Sequence, residues 1–182
     1  MKHGAAVLFC LFFFAATQAY AGGFTLTSPD LGGQLSMAQV FSGFGCRGQN
    51  ISPRLAWKGE PAGTRSFAVT VYDPDAPTGS GWWHWLVFNI PATVHALKAG
   101  AGNPAKPLAP AGSVQSRTDY GKNGYGGACP PKGDRAHRYI FTVYALKLKK
   151  LDLGTDTPPA MVGFYLNHNA IARASLIAYY GR

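Results

Sequence analysis

The chain has 182 residues, of which 47% are hydrophobic and 13% aromatic, and its formal net charge is +9. This composition is too apolar for a disordered chain and supplies enough side chains for one ordinary domain. The excess of basic residues favours an anionic partner but does not identify one.

The first 21 residues have the three parts of a secretory signal peptide. Residues 1–3 are a basic start, residues 5–16 are apolar, and Ala19-Tyr20-Ala21 is a cleavage site of the A-x-A type. A membrane anchor is the competing interpretation, but the apolar run is shorter than the roughly 20 residues that span a bilayer. No cysteine stands at the predicted cut, which argues against a lipoprotein. We therefore predict export to the periplasm or the medium, with one mature domain over residues 22–182.

The chain has three cysteines, and Cys10 lies within the predicted leader. Cys46 and Cys129 remain, and an even pair in an oxidising compartment favours a disulfide. Closing this loop would stabilise the domain by roughly 3 to 5 kcal/mol on the chain-entropy model. Two free thiols are the alternative, whereas a catalytic cysteine is disfavoured because oxidation would silence it.

Three segments alternate with the two-residue period of β-strands and are rich in β-branched and aromatic residues. Each is apolar on both faces, so we predict central strands that are covered on both sides. Three weaker candidates precede them. Together they predict a mainly β fold of two antiparallel sheets. The strong segments are 66–72, 83–90 and 138–146, and the weaker ones are 24–27, 34–40 and 54–57.

Two carboxylates follow the first strong strand, in the segment Asp73-Pro74-Asp75-Ala76-Pro77. Prolines restrict the backbone here, so both acids would emerge at one strand end, on the rim of a pocket. The alternative is an ordinary turn, because Asp and Pro are common turn residues.

A histidine stands among three indoles at the start of the next strand, in Trp82-Trp83-His84-Trp85. A buried histidine needs a partner for each ring nitrogen, and a carboxylate such as Asp73 or Asp75 is the expected one. The alternative is a core histidine that is bonded to backbone groups.

A connection of 36 residues, from Ala99 to Asp134, contains eight glycines and five prolines. A connection of this length is usually functional or disordered. Near its end is Gly126-Gly127-Ala128-Cys129-Pro130-Pro131, and the third strong strand then begins around His137-Arg138-Tyr139. Consecutive N–H groups in a glycine-rich turn can form an anion-binding nest, so we predict one near Gly127 to Cys129.

Only the end of the chain is predicted to be helical. Thr157 can serve as the N-cap, with Pro158 at the first helical position and Gly181 at the end. The residues with helical spacing are Leu166, Ala170, Ala174 and Ile177.

Taken together, these motifs closely resemble the phosphatidylethanolamine-binding protein family, in particular its bacterial, Raf kinase inhibitor-like branch. The likeness extends from about Phe24 to the C-terminus. The segments that carry it are Asn50-Ile51-Ser52-Pro53 with Leu55 and Trp57, Asp73-Pro74-Asp75-Ala76-Pro77, Trp82-Trp83-His84 with Leu86-Val87-Phe88-Asn89-Ile90-Pro91, and Gly126-Gly127 with Pro130-Pro131 and His137-Arg138-Tyr139.

The resemblance implies two antiparallel sheets with a C-terminal helix and a small pocket for anions, typically phosphoryl or carboxyl head groups. In the final helix Asn169 stands at a usual His and Ala178 at a usual Gly, which puts lid and ligand selectivity in question. Cys46 and Cys129 fit the secreted branch. The pocket residues that carry over are Asp73, Asp75, Pro77, Trp82, His84, Gly127, Pro130, Pro131, His137 and Tyr139.

The chemistry of these residues suits an anion. The two imidazoles, the Tyr139 hydroxyl and N–H groups near Gly127 would donate hydrogen bonds to it. Asp73 and Asp75 would orient the imidazoles, accept a bond from a protonated phosphate, or meet the ammonium of an ethanolamine group. We therefore expect anion binding to strengthen as the pH falls and the histidines become charged.

The predicted function is that of a non-enzymatic binding protein with a preformed anion pocket, without cofactor or metal. One alternative is an inhibitor or regulator of a partner protein such as a protease or kinase. Another is a hydrolase, since paired carboxylates and histidines serve acid–base catalysis, although no G-x-S-x-G elbow is present. We expect no nucleic acid and no stable membrane insertion, because the cluster of Lys147, Lys149 and Lys150 is typical of a solvated strand edge.

Overall fold

The computed structural model describes residues 23–182, so the predicted leader and Cys10 lie outside the described residues. Within the described range, no helix is long and apolar enough to cross a membrane. In chain order, the elements are β1 (Thr25–Thr27), β2 (Ser42–Gly43), β3 (Cys46–Arg47), β4 (Leu55–Lys58), β5 (Ser66–Asp73), β6 (Trp82–Pro91), β7 (Ala96–Leu97), β8 (Val114–Gln115), β9 (His137–Leu146), α1 (Pro159–Asn169) and β10 (Ala170–Tyr180).

The large sheet has five strands in the order β10-β9-β5-β6-β8, and each neighbouring pair is antiparallel. The three strong strand predictions are confirmed as β5, β6 and β9, which lie at its centre. Their two faces belong to separate hydrophobic clusters: Phe67 and Val69 contribute to one, and Ala68 contributes to the other. The mainly β fold and the covering of the central strands on both faces are therefore as predicted.

A smaller sheet, β1-β4-β7, covers one face of the large sheet, and α1 covers the other. The small sheet contributes Leu26, Leu55 and Trp57 to the first hydrophobic cluster. The helix contributes Val162 and Leu166 to the second. The weaker strand candidates at 24–27 and 54–57 are thereby confirmed as β1 and β4.

The strand predicted at 34–40 is wrong. Gln34 and Val40 each form one isolated bridge, and the segment between them is a turn. The side chain of Gln39 accepts hydrogen bonds from the Ser36 N–H at 3.2 Å and from the Ser36 hydroxyl at 2.9 Å. Such local side-chain bonds offer the backbone an alternative to a sheet ladder.

The C-terminal helix is shorter than predicted, since it ends at Asn169 and the next eleven residues form β10. Small residues with a spacing of four fit a helix and a strand equally well, and packing against β9 decides for the strand. Ile177, expected on the buried helical face, is 43% exposed. Pro158 rather than Thr157 precedes the helix, and it makes no side-chain cap.

The long connection from 99 to 134 is built into the core. Its residues Ser116, Tyr125 and Ala128 are buried, and the Tyr125 hydroxyl donates to the Gln39 carbonyl at 2.9 Å. The predicted disulfide between Cys46 and Cys129 is present, with 5.9 Å between the two Cα atoms. It joins β3 to the last part of the connection, beside the predicted pocket.

Candidate functional site

A cavity of about 220 Å³ lies where the end of β5 meets the beginnings of β6 and β9. Antiparallel neighbours bring these three strand ends to one edge of the sheet, which is why motifs far apart in the sequence meet here. Eight of the ten predicted pocket residues line the cavity: Asp73, Pro77, Trp82, His84, Pro130, Pro131, His137 and Tyr139.

Asp75, one of the two that do not line the cavity, is bound by arginines instead. Its carboxylate accepts hydrogen bonds from the Arg138 backbone N–H at 2.9 Å, from Arg138 Nε at 2.8 Å, and from Arg135 Nη2 at 2.8 Å. The Arg138 guanidinium holds the pKa of Asp75 well below its usual range. Asp75 therefore anchors the loop after β5 to β9 and orients neither imidazole.

Two of the N–H groups expected to form an anion-binding nest, those of Gly127 and Ala128, already have partners within the fold. The Gly127 N–H donates to Asn50 Oδ1 at 2.7 Å, the Gly126 N–H donates to the His84 carbonyl at 2.8 Å, and the Ala128 N–H donates to the Gln39 carbonyl at 3.3 Å. Gly127 lies so close to the neighbouring backbone that only glycine fits, since a Cβ there would lie 2.1 Å from the Gln39 carbonyl oxygen. The turn is structural.

His84 is bonded to backbone carbonyls rather than to the expected carboxylate. Its Nδ1 lies 2.8 Å from the Gly126 oxygen and 3.2 Å from the Gly127 oxygen. Burial is the main cause that lowers the pKa of His84 to about 4. The imidazole is therefore neutral at ordinary pH, and the expectation that both histidines become charged does not hold for His84.

His137 has the carboxylate contacts that His84 lacks. Its Nδ1 lies 2.8 Å from Asp73 Oδ2, and its Nε2 lies 3.3 Å from Asp134 Oδ2. The other oxygen of Asp73 accepts the Asp75 N–H at 2.8 Å, so this carboxylate is held from two sides. Across residues 23–182, no three His, Cys, Asp or Glu side chains are grouped in a way that could hold a metal ion.

Three buried polar atoms in the cavity wall have no hydrogen-bond partner: Trp82 Nε1, His84 Nε2 and the Tyr139 hydroxyl. Two further such atoms in the described part of the chain belong to Trp57 and Ser116, away from the cavity. Buried polar groups are nearly always paired in folded proteins. Three of the five such atoms in the described residues thus surround one cavity, which makes it the candidate binding site.

Tyr120 is the main wall residue that the sequence reasoning missed. Its ring lies 5.4 Å from that of Trp82 and 5.5 Å from that of His84, and its hydroxyl donates to the Gly127 carbonyl at 2.8 Å. Burial raises the pKa of the Tyr120 hydroxyl, so it stays protonated. Its aromatic side chain in a glycine-rich connection was the available signal. The other missed lining residues are Phe44, Ala76, Thr78 and Cys129.

The two departures in the C-terminal segment lie away from the cavity lining. Asn169 ends α1, where its Nδ2 donates to the Tyr165 carbonyl at 2.8 Å. Ala178 is buried in the large sheet, opposite Tyr139 on β9. Neither residue contributes directly to the wall of the cavity.

Comparison with known proteins places this architecture in a family. The model of the family described as phosphatidylethanolamine-binding protein matches residues 27–181. The UPF0098 protein YbcL of Escherichia coli is 54% identical over 169 residues, which are 92% of this chain and 92% of YbcL. The UPF0098 protein YbhB of the same organism is 52% identical over 157 residues, which are 85% of this chain and 98% of YbhB.

Solved structures agree with these matches. The crystal structure of E. coli YbcL, described as a new member of the mammalian PEBP family, superposes with a TM-score of 0.86 at 55% identity, covering 87% of this chain and 98% of that one. The Chlamydia trachomatis protein CT736 has a TM-score of 0.71 at 28% identity, with 88% and 98% covered. LppC of Mycobacterium tuberculosis, whose name suggests a lipoprotein, is 36% identical over 132 residues, which are 72% of this chain and 58% of LppC.

Proposed function

The chain belongs to the phosphatidylethanolamine-binding protein family, and we propose that its pocket binds small anionic groups, phosphoryl or carboxyl, without catalysing a reaction on them. The observation that carries this proposal is the set of three unpaired polar atoms on Trp82, His84 and Tyr139 around one cavity. A buried polar group without a partner costs about 1–3 kcal/mol. A ligand that pairs these atoms recovers that free energy on binding.

The size and lining of the cavity suit a head group rather than a whole metabolite. Its volume of about 220 Å³ lies below the range of roughly 300–1,000 Å³ that is usual for drug-sized ligands. Aromatic walls, among them Tyr120 and Trp82, keep water away and so strengthen the hydrogen bonds inside. Phospholipid head groups are one candidate source of such a group, since the family is named for one.

A partner protein that inserts an anionic side chain is the second candidate. Phe44 lines the cavity and is 70% exposed, so a large apolar ring stands at the surface of the site. Aromatic residues are enriched in protein–protein interfaces. A regulator or inhibitor would bind its partner through this face, and the pocket would bind one anionic side chain of that partner.

We propose that the protein works in an oxidising compartment outside the cytoplasm, in the periplasm or the medium. The disulfide between Cys46 and Cys129 supports this, because such bonds persist in oxidising surroundings. The predicted leader at residues 1–21 supports it independently.

The proposal is tested with two neighbouring indoles on opposite faces of β6. Trp82 lines the cavity, whereas Trp83 packs against Tyr72, with 4.6 Å between ring centroids, and against the cluster under α1. We expect Trp82→Phe to weaken the binding of phosphate and acetate about tenfold or more in calorimetric titrations, because it removes a donor to a charged group. Trp83→Phe should change the affinity less than about twofold.

Equal effects of the two substitutions, or no binding of either anion by the unmodified protein, would contradict the proposal. The same protein is incubated with p-nitrophenyl phosphate and p-nitrophenyl acetate, with and without Mg²⁺ or Zn²⁺. We expect no turnover. Turnover that disappears in a His84→Gln variant would instead identify the site as that of a hydrolase.

A further inference from the structure

A second depression of the surface, with a volume of about 550 Å³, lies at the opposite end of the large sheet from the candidate cavity. It is formed where the beginning of β5 meets the ends of β6 and β9, and we call it the basic groove, after Arg65, Lys149 and Lys150 in its lining. Among the described residues, none lines both this groove and the candidate cavity. Since β5 extends over eight residues between the two sites, a rise of about 3.3 Å per residue puts them roughly 23 Å apart.

The basic groove contains three cations and no carboxylate. Arg65 precedes β5, Lys149 and Lys150 follow β9, and all three are exposed. Across residues 23–182, none of the three forms a salt bridge, and no Asp or Glu is among the lining residues of the groove. Asp152, the nearest acid along the chain, also lies outside the lining. Cations that share one depression repel one another, and a bound anion relieves that repulsion.

The backbone that carries the two lysines is fixed on both sides by buried polar residues. Before them, the Leu148 carbonyl accepts a hydrogen bond from the Ser66 hydroxyl at 2.6 Å. After them, the Leu151 N–H donates to Asn89 Oδ1 at 2.7 Å, and the Leu151 carbonyl accepts from Asn89 Nδ2 at 3.1 Å. Because this short segment is already ordered, less conformational entropy is lost when its lysines bind a ligand.

The remaining lining of the basic groove includes small apolar groups. Pro91 and Ala92 come from the end of β6, and Ala111 comes from the long connection. The volume of about 550 Å³ lies within the range of roughly 300–1,000 Å³ that is usual for ligand pockets. A ligand that fits this groove therefore combines negative charge for the cations with an apolar body for the small side chains.

We propose that the basic groove is a second ligand site, which binds a small organic dianion, an apolar body that carries two anionic groups. This inference goes beyond the proposed function, because it concerns other residues and another class of ligand. A second anionic group adds its own attraction to the three cations. Acetate and inorganic phosphate have no apolar body, so the groove should leave them unbound at concentrations that fill the candidate cavity.

A matched series of probes separates the contribution of charge from that of the apolar body. Naphthalene-2,6-disulfonate and naphthalene-2,6-dicarboxylate have both features, naphthalene-2-sulfonate has one charge, and ethane-1,2-disulfonate has no apolar body. In calorimetric titrations at pH 7, we expect each naphthalene dianion to bind at least about fivefold more tightly than either of the other two probes. Their affinity should fall as the NaCl concentration rises from about 0.02 to 0.3 M, since salt screens exposed charges.

Removing the three cations tests the residues. In a triple variant with Arg65→Gln, Lys149→Gln and Lys150→Gln, we expect the affinity for naphthalene-2,6-disulfonate to fall at least about tenfold. The midpoint of urea denaturation should not fall, because the substitutions relieve repulsion between exposed charges. A lower midpoint would overturn the proposal in favour of a structural role for these side chains.

The matched control removes the same charge elsewhere. Lys58→Gln, Lys122→Gln and Arg173→Gln together replace two lysines and one arginine that do not line the basic groove. This triple variant should change the affinity less than about twofold. Equal losses in the two triple variants would overturn the proposal, because they would assign binding to the net charge of the protein.

A third variant tests the shape of the groove without changing its charge. Ala111 is exposed, so Ala111→Trp fills the groove and leaves the core intact. We expect it to weaken naphthalene-2,6-disulfonate at least about tenfold. Undiminished binding in Ala111→Trp would overturn the proposal.

NMR spectra locate the bound probe. Naphthalene-2,6-disulfonate should shift the amide signals of Ala92, Ala111 and Lys149 and leave the indole N–H signal of Trp82 in place. Shifts confined to Trp82 and its neighbours in the candidate cavity would overturn the proposal. So would tighter binding of hexaglutamate than of the disulfonate, if the triple variant of the groove abolished it, because the groove would then be a site for an acidic protein segment.

Discussion

Two buried polar residues on β6, His84 and Asn89, show how differently the two ends of one strand are used. Asn89 makes a reciprocal pair with the backbone of Leu151: its Nδ2 donates to the carbonyl at 3.1 Å and its Oδ1 accepts the N–H at 2.7 Å. His84 pairs one nitrogen with carbonyls and leaves the other without a partner. At the Asn89 end the buried polar groups are matched within the fold, whereas at the His84 end Nε2 has no partner within the fold.

The backbone conformations agree with this division. Asn89 has a φ of 59°, a region in which Asn is enriched among non-glycine residues, and its two hydrogen bonds hold it there. Nearby, the Ser66 hydroxyl donates to the Leu148 carbonyl at 2.6 Å. The buried polar residues at this end of the strand are thus paired within the fold, whereas three of the five unpaired buried polar atoms in the described residues belong to side chains that line the candidate site. The substitutions below remove either a paired or an unpaired buried polar group.

Removing the hydrogen bonds of Asn89 should have the largest effect on stability. Asn89→Ala leaves the buried N–H and carbonyl of Leu151 unpaired and keeps the positive φ, so we expect a loss of roughly 3 to 5 kcal/mol in the free energy of unfolding. Anion affinity should not change. Urea denaturation of the disulfide-intact protein measures the loss, and Asn167→Ala, on the exposed face of α1, is the control, with an effect within about 0.5 kcal/mol. A loss below about 1 kcal/mol for Asn89→Ala would refute this account of the strand end.

The buried His84 imidazole should make the free energy of unfolding depend on pH. Since burial lowers the folded-state pKa of His84 from 6.5 to about 4, the unfolded state binds more protons between these values. The contribution of His84 to the free energy of unfolding is thus complete above about pH 6.5, and it is lost as the pH falls toward 4. We expect a decrease on the order of 3 kcal/mol across this window.

Urea denaturation in buffers from pH 7 to 4.5 measures this slope. The lowered pKa of Asp75 makes its contribution disappear only below its unfolded value of 3.8, outside the window. His84→Gln should flatten the slope, whereas His168→Gln, on the exposed face of α1, should leave it unchanged. A slope that persists in His84→Gln would assign the effect to another group.

The smallest expected changes in stability come from removing the hydroxyl of either of two buried tyrosines, and the two changes should have opposite signs. The Tyr139 hydroxyl has no partner, so Tyr139→Phe should raise the free energy of unfolding by about 1 kcal/mol while it weakens anion binding. The Tyr125 hydroxyl donates to the Gln39 carbonyl at 2.9 Å, so Tyr125→Phe should lower that free energy by about 1 kcal/mol. Effects of the same sign would show that an unpaired hydroxyl does not distinguish the site from the rest of the core.

Sequence reasoning succeeded where the signal is local or is carried by a family motif. Alternation predicted β5, β6 and β9, and the motifs named eight residues that line the cavity. It failed where two structures share one pattern: the small residues of β10 have a spacing that also fits a helix, and only the pairing with β9 decides between them. At 34–40, the side chain of Gln39 holds a turn that alternation alone does not reveal.

The amino-acid sequence by itself determined the three central strands, the disulfide partners and the residue types at the pocket, because these depend on short-range periodicity, cysteine count and motif. Only the tertiary structure decided which partner each buried group has. His84 meets Gly126, 42 residues away, and His137 meets Asp73, 64 residues away. Asp75, two residues beyond Asp73, is bound by Arg138 instead. Hydrogen bonding is short-ranged and directional, so the roles of these similar side chains depend on which strand ends the fold brings together.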